Sequence, residues 1–218
     1  MAKKLKAVIF DLDGTLVNAY KAVEQSMNYA LKRAGFPTVS AMTIKRSVGW
    51  GDKQLLEKFV GCEHAPKVLD IYRKHHKQSL KTGVKFLPGA KKLLDDLSQE
   101  GYILAIASNR PTRFSKIILD VLKIDAHFDY VLCADKTERP KPYPDMLQMI
   151  LKKYKLTTDE ALFVGDMTID VQTGNSAGVR TAAVLTGSST SQEISALKPY
   201  AMIPRLTHLK KIIKQIES

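Results

Sequence analysis

Two carboxylates two residues apart, Asp11 and Asp13, close a short apolar run and precede a turn glycine in Val8-Ile9-Phe10-Asp11-Leu12-Asp13-Gly14-Thr15-Leu16. Side chains of an extended strand alternate with period two, so both acids face one way at the strand's tip. At about 4 Å and an effective dielectric near 20 the two charges repel by roughly 4 kcal/mol, which a shared cation or proton relieves. Oxygen ligands of this kind suit magnesium. The plainer reading is a strand ending in an ordinary Asp-Gly turn, and the rest of the chain must decide between the two.

Three further polar clusters follow: Ser108-Asn109-Arg110, Lys141 within Arg139-Pro140-Lys141-Pro142, and Gly165-Asp166 with Asp170 one helical turn beyond. Residues 6–10, 102–107, 130–133, 161–164 and 181–184 are short apolar runs that predict strands. Helical spacing at 90–99, 112–122, 144–154 and 169–177 separates them. Such alternation predicts an α/β fold, a Rossmann-like doubly wound parallel sheet whose ligands bind at the carboxyl ends of the strands. Asp11 and Asp13, Ser108, and Asp166 each follow a predicted strand.

Residues 17–87 break this rhythm. Helical periodicity at 19–35, 41–47, 52–59 and 66–80, with no strand-like alternation, predicts an inserted all-helical unit joined by flexible links at 17–20 and 81–86. The α/β core is then residues 1–16 and 88–218, and the helical insert is residues 17–87. Beyond it, 186–192 is expected to be a Gly/Ser/Thr loop, and 200–203 and 206–216 a final strand and helix.

The chain has 218 residues, is 44% hydrophobic and carries a formal charge of +12. Residues 17–87 hold thirteen Lys/Arg against five Asp/Glu, a net +8, so the excess is concentrated in the helical insert. That points to an anionic partner. Two cysteines without CxxC spacing exclude a disulfide framework and a thiolate zinc site, and predict a reducing, cytoplasmic setting. The basic start Met1-Ala2-Lys3-Lys4-Leu5-Lys6 imitates an export signal, but the apolar run after it is short and ends at Asp11, so none is expected. No run of 18 apolar residues predicts a membrane span. Without an aromatic-basic RNA signature, zinc spacing or heptads, a nucleic-acid-binding module is the lesser alternative.

Taken together, Asp11-Leu12-Asp13-Gly14-Thr15, Ser108, Lys141, and Gly165-Asp166 with Asp170 resemble the haloacid dehalogenase superfamily of phosphohydrolases. The helical insert between the first two motifs is similar to the cap of its phosphoglycolate phosphatase-like branch. The resemblance implies Asp11 as the nucleophile that becomes an aspartyl phosphate, and Asp13 as general acid and base. It implies Ser108 as a hydroxyl donor to the phosphoryl group and Lys141 as its neutralising charge. Mg2+ is expected on Asp11, the Asp13 carbonyl and Asp166, with Asp170 reaching it directly or through water.

Thr15, Asn109 and Arg110 are expected as further substrate contacts, Arg110 as an added phosphate contact. In the insert, Trp50 between Gly49 and Gly51 is a candidate lid contact, and Arg46 with Lys45 and Lys53 a candidate anion site. The five histidines receive no role. The implied activity is hydrolysis of a small phosphorylated metabolite, phosphoglycolate by default, by a monomer or homodimer. A sugar-phosphate mutase, a pyrophosphatase or a nucleotidase would use the same core, and residues 17–23 lack the histidine of the mutase cap.

Overall fold

The computed structural model describes residues 5–218. Met1–Lys4, on which the reading of the basic start rests, lie outside the described residues. Six strands form one parallel sheet: β1 (Ala7–Phe10) at its middle, β4 (Ile103–Ser108) and β5 (Tyr130–Cys133) to one side, and β6 (Ala161–Gly165), β7 (Arg180–Val184) and β8 (Ala201–Ile203) to the other. The two remaining strands, β2 (Val17–Asn18) and β3 (Lys85–Phe86), pair with each other outside this sheet. The chain leaves β1 toward β4 and β5, then returns to β6 on the opposite flank, so strand order reverses beside β1. A crevice opens at such a reversal.

Strand alternation assigns the two faces. Val8, Phe10, Leu104, Ile106, Leu162 and Val164 pack beneath α4 (Ala90–Gln99), α5 (Thr112–Leu122) and α9 (Leu209–Glu217). Ala7, Ile9, Ala105, Ala107 and Phe163 face α6 (Asp145–Tyr154). Phe10 and Phe163 are fully buried on opposite faces, each worth about 1.5–3 kcal/mol of transfer free energy. Small alanines on the α6 side let that helix lie close to the sheet. A further helix of the core, α7 (Thr168–Ala177), follows β6 directly.

The insert contains α1 (Tyr20–Arg33), α2 (Ala41–Lys45) and α3 (Asp52–Gly83) around its own core, which includes Met27, Leu31, Ile44, Leu56 and Tyr72. Two separate helices were expected where α3 runs. The structure has two segments there, broken at Gly61, whose non-helical φ of 74° suits glycine.

The expected flexible links differ more. Val17 pairs with Phe86 and Asn18 with Lys85 in an antiparallel ribbon, and Leu87 N–H donates to Leu16 O at 2.9 Å. Val17 is fully buried. Two residues per strand are too few to show alternation, so the sequence pattern carried no signal.

The expected loop at 186–192 instead leads into a short helix, α8 (Ser191–Ser195). Thr190 accepts from Glu193 N–H while Glu193 accepts from Thr190 N–H, a reciprocal cap visible as Thr-x-x-Glu. The terminal helix begins as a tight turn, Leu206–His208, before α9. No helix among the described residues is long and apolar enough to cross a membrane.

Candidate active site

Asp11 leaves the end of β1, Ser108 ends β4, Asp166 follows β6, and Asp170 lies in the first turn of α7. Parallel register alone gathers these residues at one edge, although 155 positions separate Asp11 from Asp166. Lys141, on the loop before α6, enters the same space. Its Nζ donates to Asp11 Oδ1 at 2.6 Å and to Asp170 Oδ1 at 2.7 Å. All three side chains are at most 10% exposed. The peptide bond from Lys141 to Pro142 is cis.

One carboxylate oxygen each from Asp11, Asp166 and Asp170 falls within 4.8 Å of the others. Asp166 Oδ1 accepts from Thr15 Oγ1 at 2.7 Å, while Asp166 Oδ2 is buried with no hydrogen-bond partner. Gly14 and Gly187 both back onto Asp166, where a side chain on either would collide with its carboxylate. Burial pushes Asp11 up to about 7, with Lys141 opposing and Asp170 adding to the rise. Burial, then Asp170 and Asp11, push Asp166 well above the ordinary carboxylate range. Lys141 loses hydration too, yet Asp11 and Asp170 outweigh that and hold it charged beyond the usual lysine range. One lysine thus faces three buried acids, and Asp166 keeps a buried carboxylate oxygen without a hydrogen-bond partner. A hard divalent cation fits that donor set.

Asp170 is buried rather than solvated. Its Oδ2 accepts the backbone N–H groups of Asp166 and Met167 at 3.1 and 3.0 Å, so both oxygens already have protein partners. The Asp13 side chain turns away from this cluster. Its two oxygens accept from Arg110 Nε and Nη2 at 2.6 and 2.9 Å.

Of the residues expected to touch substrate, Asn109 and Arg110 line the cavity, and Thr15, Trp50 and Arg46 do not. Thr15 is fully buried and orients Asp166. Asn109 is consumed as a clamp, donating to Lys141 O and Gly49 O and accepting from Lys141 N–H, which fixes the lysine loop to the insert. Trp50 is 50% exposed, and its flanking Gly49 and Gly51 line the cavity in its place. Arg46 lies at the outer edge, bidentate to Glu193 of α8 and donating to Ser188 O. Lys45 stands 4.9 Å over the Tyr20 ring, and Lys53 pairs with Glu57. The cation cluster expected beside Trp50 is therefore spent on surface contacts.

The cavity between core and insert is roofed by Tyr20, Val23, Val48, Leu55, Tyr72 and His76. His76 had no assigned role, yet it is fully buried and accepts from Arg110 Nη1 at 2.8 Å. Its position was readable, since Tyr72, His76 and Leu80 share one buried stripe of α3. Tyr20 is a second omission: its hydroxyl is buried without a partner, and burial and then Asp166 keep it protonated.

The sequence profile of the family described as Haloacid dehalogenase-like hydrolase matches residues 8–184. A phosphoglycolate phosphatase of Aquifex aeolicus (strain VF5) is 30% identical over 183 residues, covering 84% of this chain and 86% of that protein. One from Pseudomonas syringae pv. tomato is 29% identical, covering 94% and 78%. The crystal structure of a predicted phosphoglycolate phosphatase from Haemophilus somnus 129pt superposes with a TM-score of 0.90 at 26% identity, covering 97% of this chain and 99% of that one.

Proposed function

Since the chain belongs to the haloacid dehalogenase-like hydrolases, we propose that it is a magnesium-dependent phosphatase of small phosphomonoesters acting through phosphorylated Asp11. The observation that carries this reading is the buried junction of Asp11, Lys141, Asp166 and Asp170, drawn from three separate stretches of sequence. Phosphoglycolate is the first substrate to test, because the curated relatives bear that name.

Asp11 and Asp166 are the residues to hold the cation, with the Asp13 carbonyl completing the protein's share. Asp170 suits a contact through water, because its oxygens are already bonded. When bound, the ion screens an anionic nucleophile from an anionic ester.

Lys141 aims one Asp11 oxygen and leaves the other free to attack phosphorus in line. Ser108 Oγ, 2% exposed at the end of β4, offers its hydroxyl to a phosphoryl oxygen. As the bond to the ester oxygen breaks, Asp13 supplies the proton that the leaving oxygen takes up. Asp13 then accepts a proton from water, which attacks phosphorus and frees Asp11 together with inorganic phosphate. To do this Asp13 must leave Arg110, the partner it holds in this structure.

A panel of phosphomonoesters assayed with and without magnesium, beside Asp11→Asn, tests the reading. Turnover should vanish in the variant and in the metal-free protein. Hydrolysis persisting in Asp11→Asn would refute the nucleophile.

A further inference from the structure

We propose that Arg110 is the docking point for a carboxylate on the leaving group, and that such a substrate takes Asp13's place on the guanidinium, releasing Asp13 toward the ester oxygen. The inference rests on the phosphatase reading and adds to it an exchange of partners that selects substrates.

Two cationic side chains line the cavity, Lys141 and Arg110. Lys141 is committed between Asp11 and Asp170 at the phosphoryl end. Val23, Val48, Leu55, Phe114 and Ile169 offer an anion nothing, and Asp52 is itself an acid clamped by Arg73 at 2.7 and 2.9 Å. Arg110 is the lining group left to receive a second negative charge. The Nε and Nη2 edge that Asp13 occupies is the fork that carboxylates match bidentately.

The two partners are not equally fixed. Arg110 is 10% exposed at its side chain and Asp13 25%. The third nitrogen of Arg110 is held from the insert. Ser26 Oγ donates to Ala22 O at 2.7 Å and so accepts from His76 Nδ1 at 3.1 Å, which leaves His76 Nε2 to accept from Arg110 Nη1 at 2.8 Å. The His76 ring is stacked on Tyr72 and set edge-on to Phe114, with centroids 4.8 and 5.0 Å apart. Burial, and then Arg110 itself, push His76 down to about 2, so it stays neutral and holds the guanidinium without competing for the anion.

An incoming carboxylate can therefore replace Asp13 charge for charge, and Arg110 is never left unpaired in a buried place. An ester lacking that group must pull Asp13 away with nothing to replace it. Selection and activation follow from one exchange.

Calorimetric titration of the Asp11→Asn protein with magnesium separates binding from turnover. Phosphoglycolate should bind about tenfold or more tighter than ethyl phosphate, which has its size without the carboxylate. Arg110→Gln should abolish the difference, and Arg110→Lys, which keeps the buried charge if the glutamine variant does not fold, should reduce it. Asp13→Asn should tighten phosphoglycolate several-fold more than it tightens ethyl phosphate, because Arg110 loses its internal competitor; a purely structural Arg110 predicts equal changes for both. Equal binding of the two esters, or in Asp13→Asn either equal changes for both or weaker or unchanged binding of phosphoglycolate, overturns the exchange. In parallel assays of the unsubstituted enzyme, equal kcat/KM for both esters would defeat the exchange alone, whereas failure to hydrolyse any phosphomonoester would defeat both it and the phosphatase reading.

Discussion

The floor and the roof of the cavity are built on different principles. On the floor, Asp11, Ser108, Lys141, Asp166 and Asp170 are all buried, and most of their polar atoms bond one another or the main chain of the strand ends. On the roof, the insert presents Tyr20, Val23, Val48, Leu55, Tyr72 and His76, while its charges are spent outward on partners such as Glu193 and Glu57. The floor is placed by sheet register, which cannot shift by one residue without turning every core side chain to the wrong face. The roof is placed by helix packing and loops, which tolerate change. The proposed chemistry rests on the first, and the second shapes the cavity above it.

The contrast breaks most visibly at Lys141. Replacing it with Met leaves Asp11 and Asp170 without their shared cation, and loss of one buried partner costs about 3–5 kcal/mol in typical cases. Turnover should fall by about a thousandfold, and the denaturation midpoint should drop in the metal-free protein. Activity within a few-fold of the unsubstituted enzyme would place Lys141 outside the chemistry.

A smaller effect belongs to pH and the cation. Burial raises Asp11 to about 7 and moves Asp166 in the same direction, so ionising them in the folded, metal-free chain costs stability. For Asp11 that cost is absent below the unfolded carboxylate range of about 4, grows as pH climbs toward about 7 and is complete above it, and for Asp166 it has the same sign. A cation on these acids cancels the penalty. Magnesium should therefore raise the Tm by a few degrees more at about pH 8 than at about pH 5, read by thermal denaturation. Equal gains at both would mean that the buried acids do not hold the ion.

On the roof the effects should divide differently. Leu55→Ala enlarges the cavity wall and should raise KM several-fold while changing kcat little, because Leu55 lines the cavity from the insert and has no place in the acid and lysine junction. At the rim, Arg46→Ala removes an ion pair whose partners are each more than 40% exposed, and the denaturation midpoint should barely move.

Most of the floor was readable in the sequence because Asp11, Ser108 and Asp166 end apolar runs and Asp170 begins a helix, and period-two and period-3.6 patterns locate such ends; Lys141, on a loop, was legible only through its place in the series of motifs. The five core strands expected before residue 185 all form, with ends that differ by a residue. The roof was not readable to the same degree. Trp50 and Arg46 were singled out by residue type, yet type does not reveal whether a loop faces inward, and here the flanking glycines do. Asn109 was expected to meet substrate; a side-chain amide serves equally to tie Lys141 to Gly49, and only the fold chooses. His76 escaped because histidine was sought in metal-like pairs instead of on the inner stripe of α3. Arg110 was expected at a phosphate, and its pairing with Asp13 joins residues 97 positions apart that no local pattern connects.

The most direct measurement is to quench the enzyme in acid during turnover of a phosphomonoester and find the phosphorylated residue by peptide mass spectrometry. A phosphoryl group on Asp11, absent when magnesium is withheld, is the expected result. Turnover with an unmodified Asp11, or a phosphoryl group on any other residue, would contradict it.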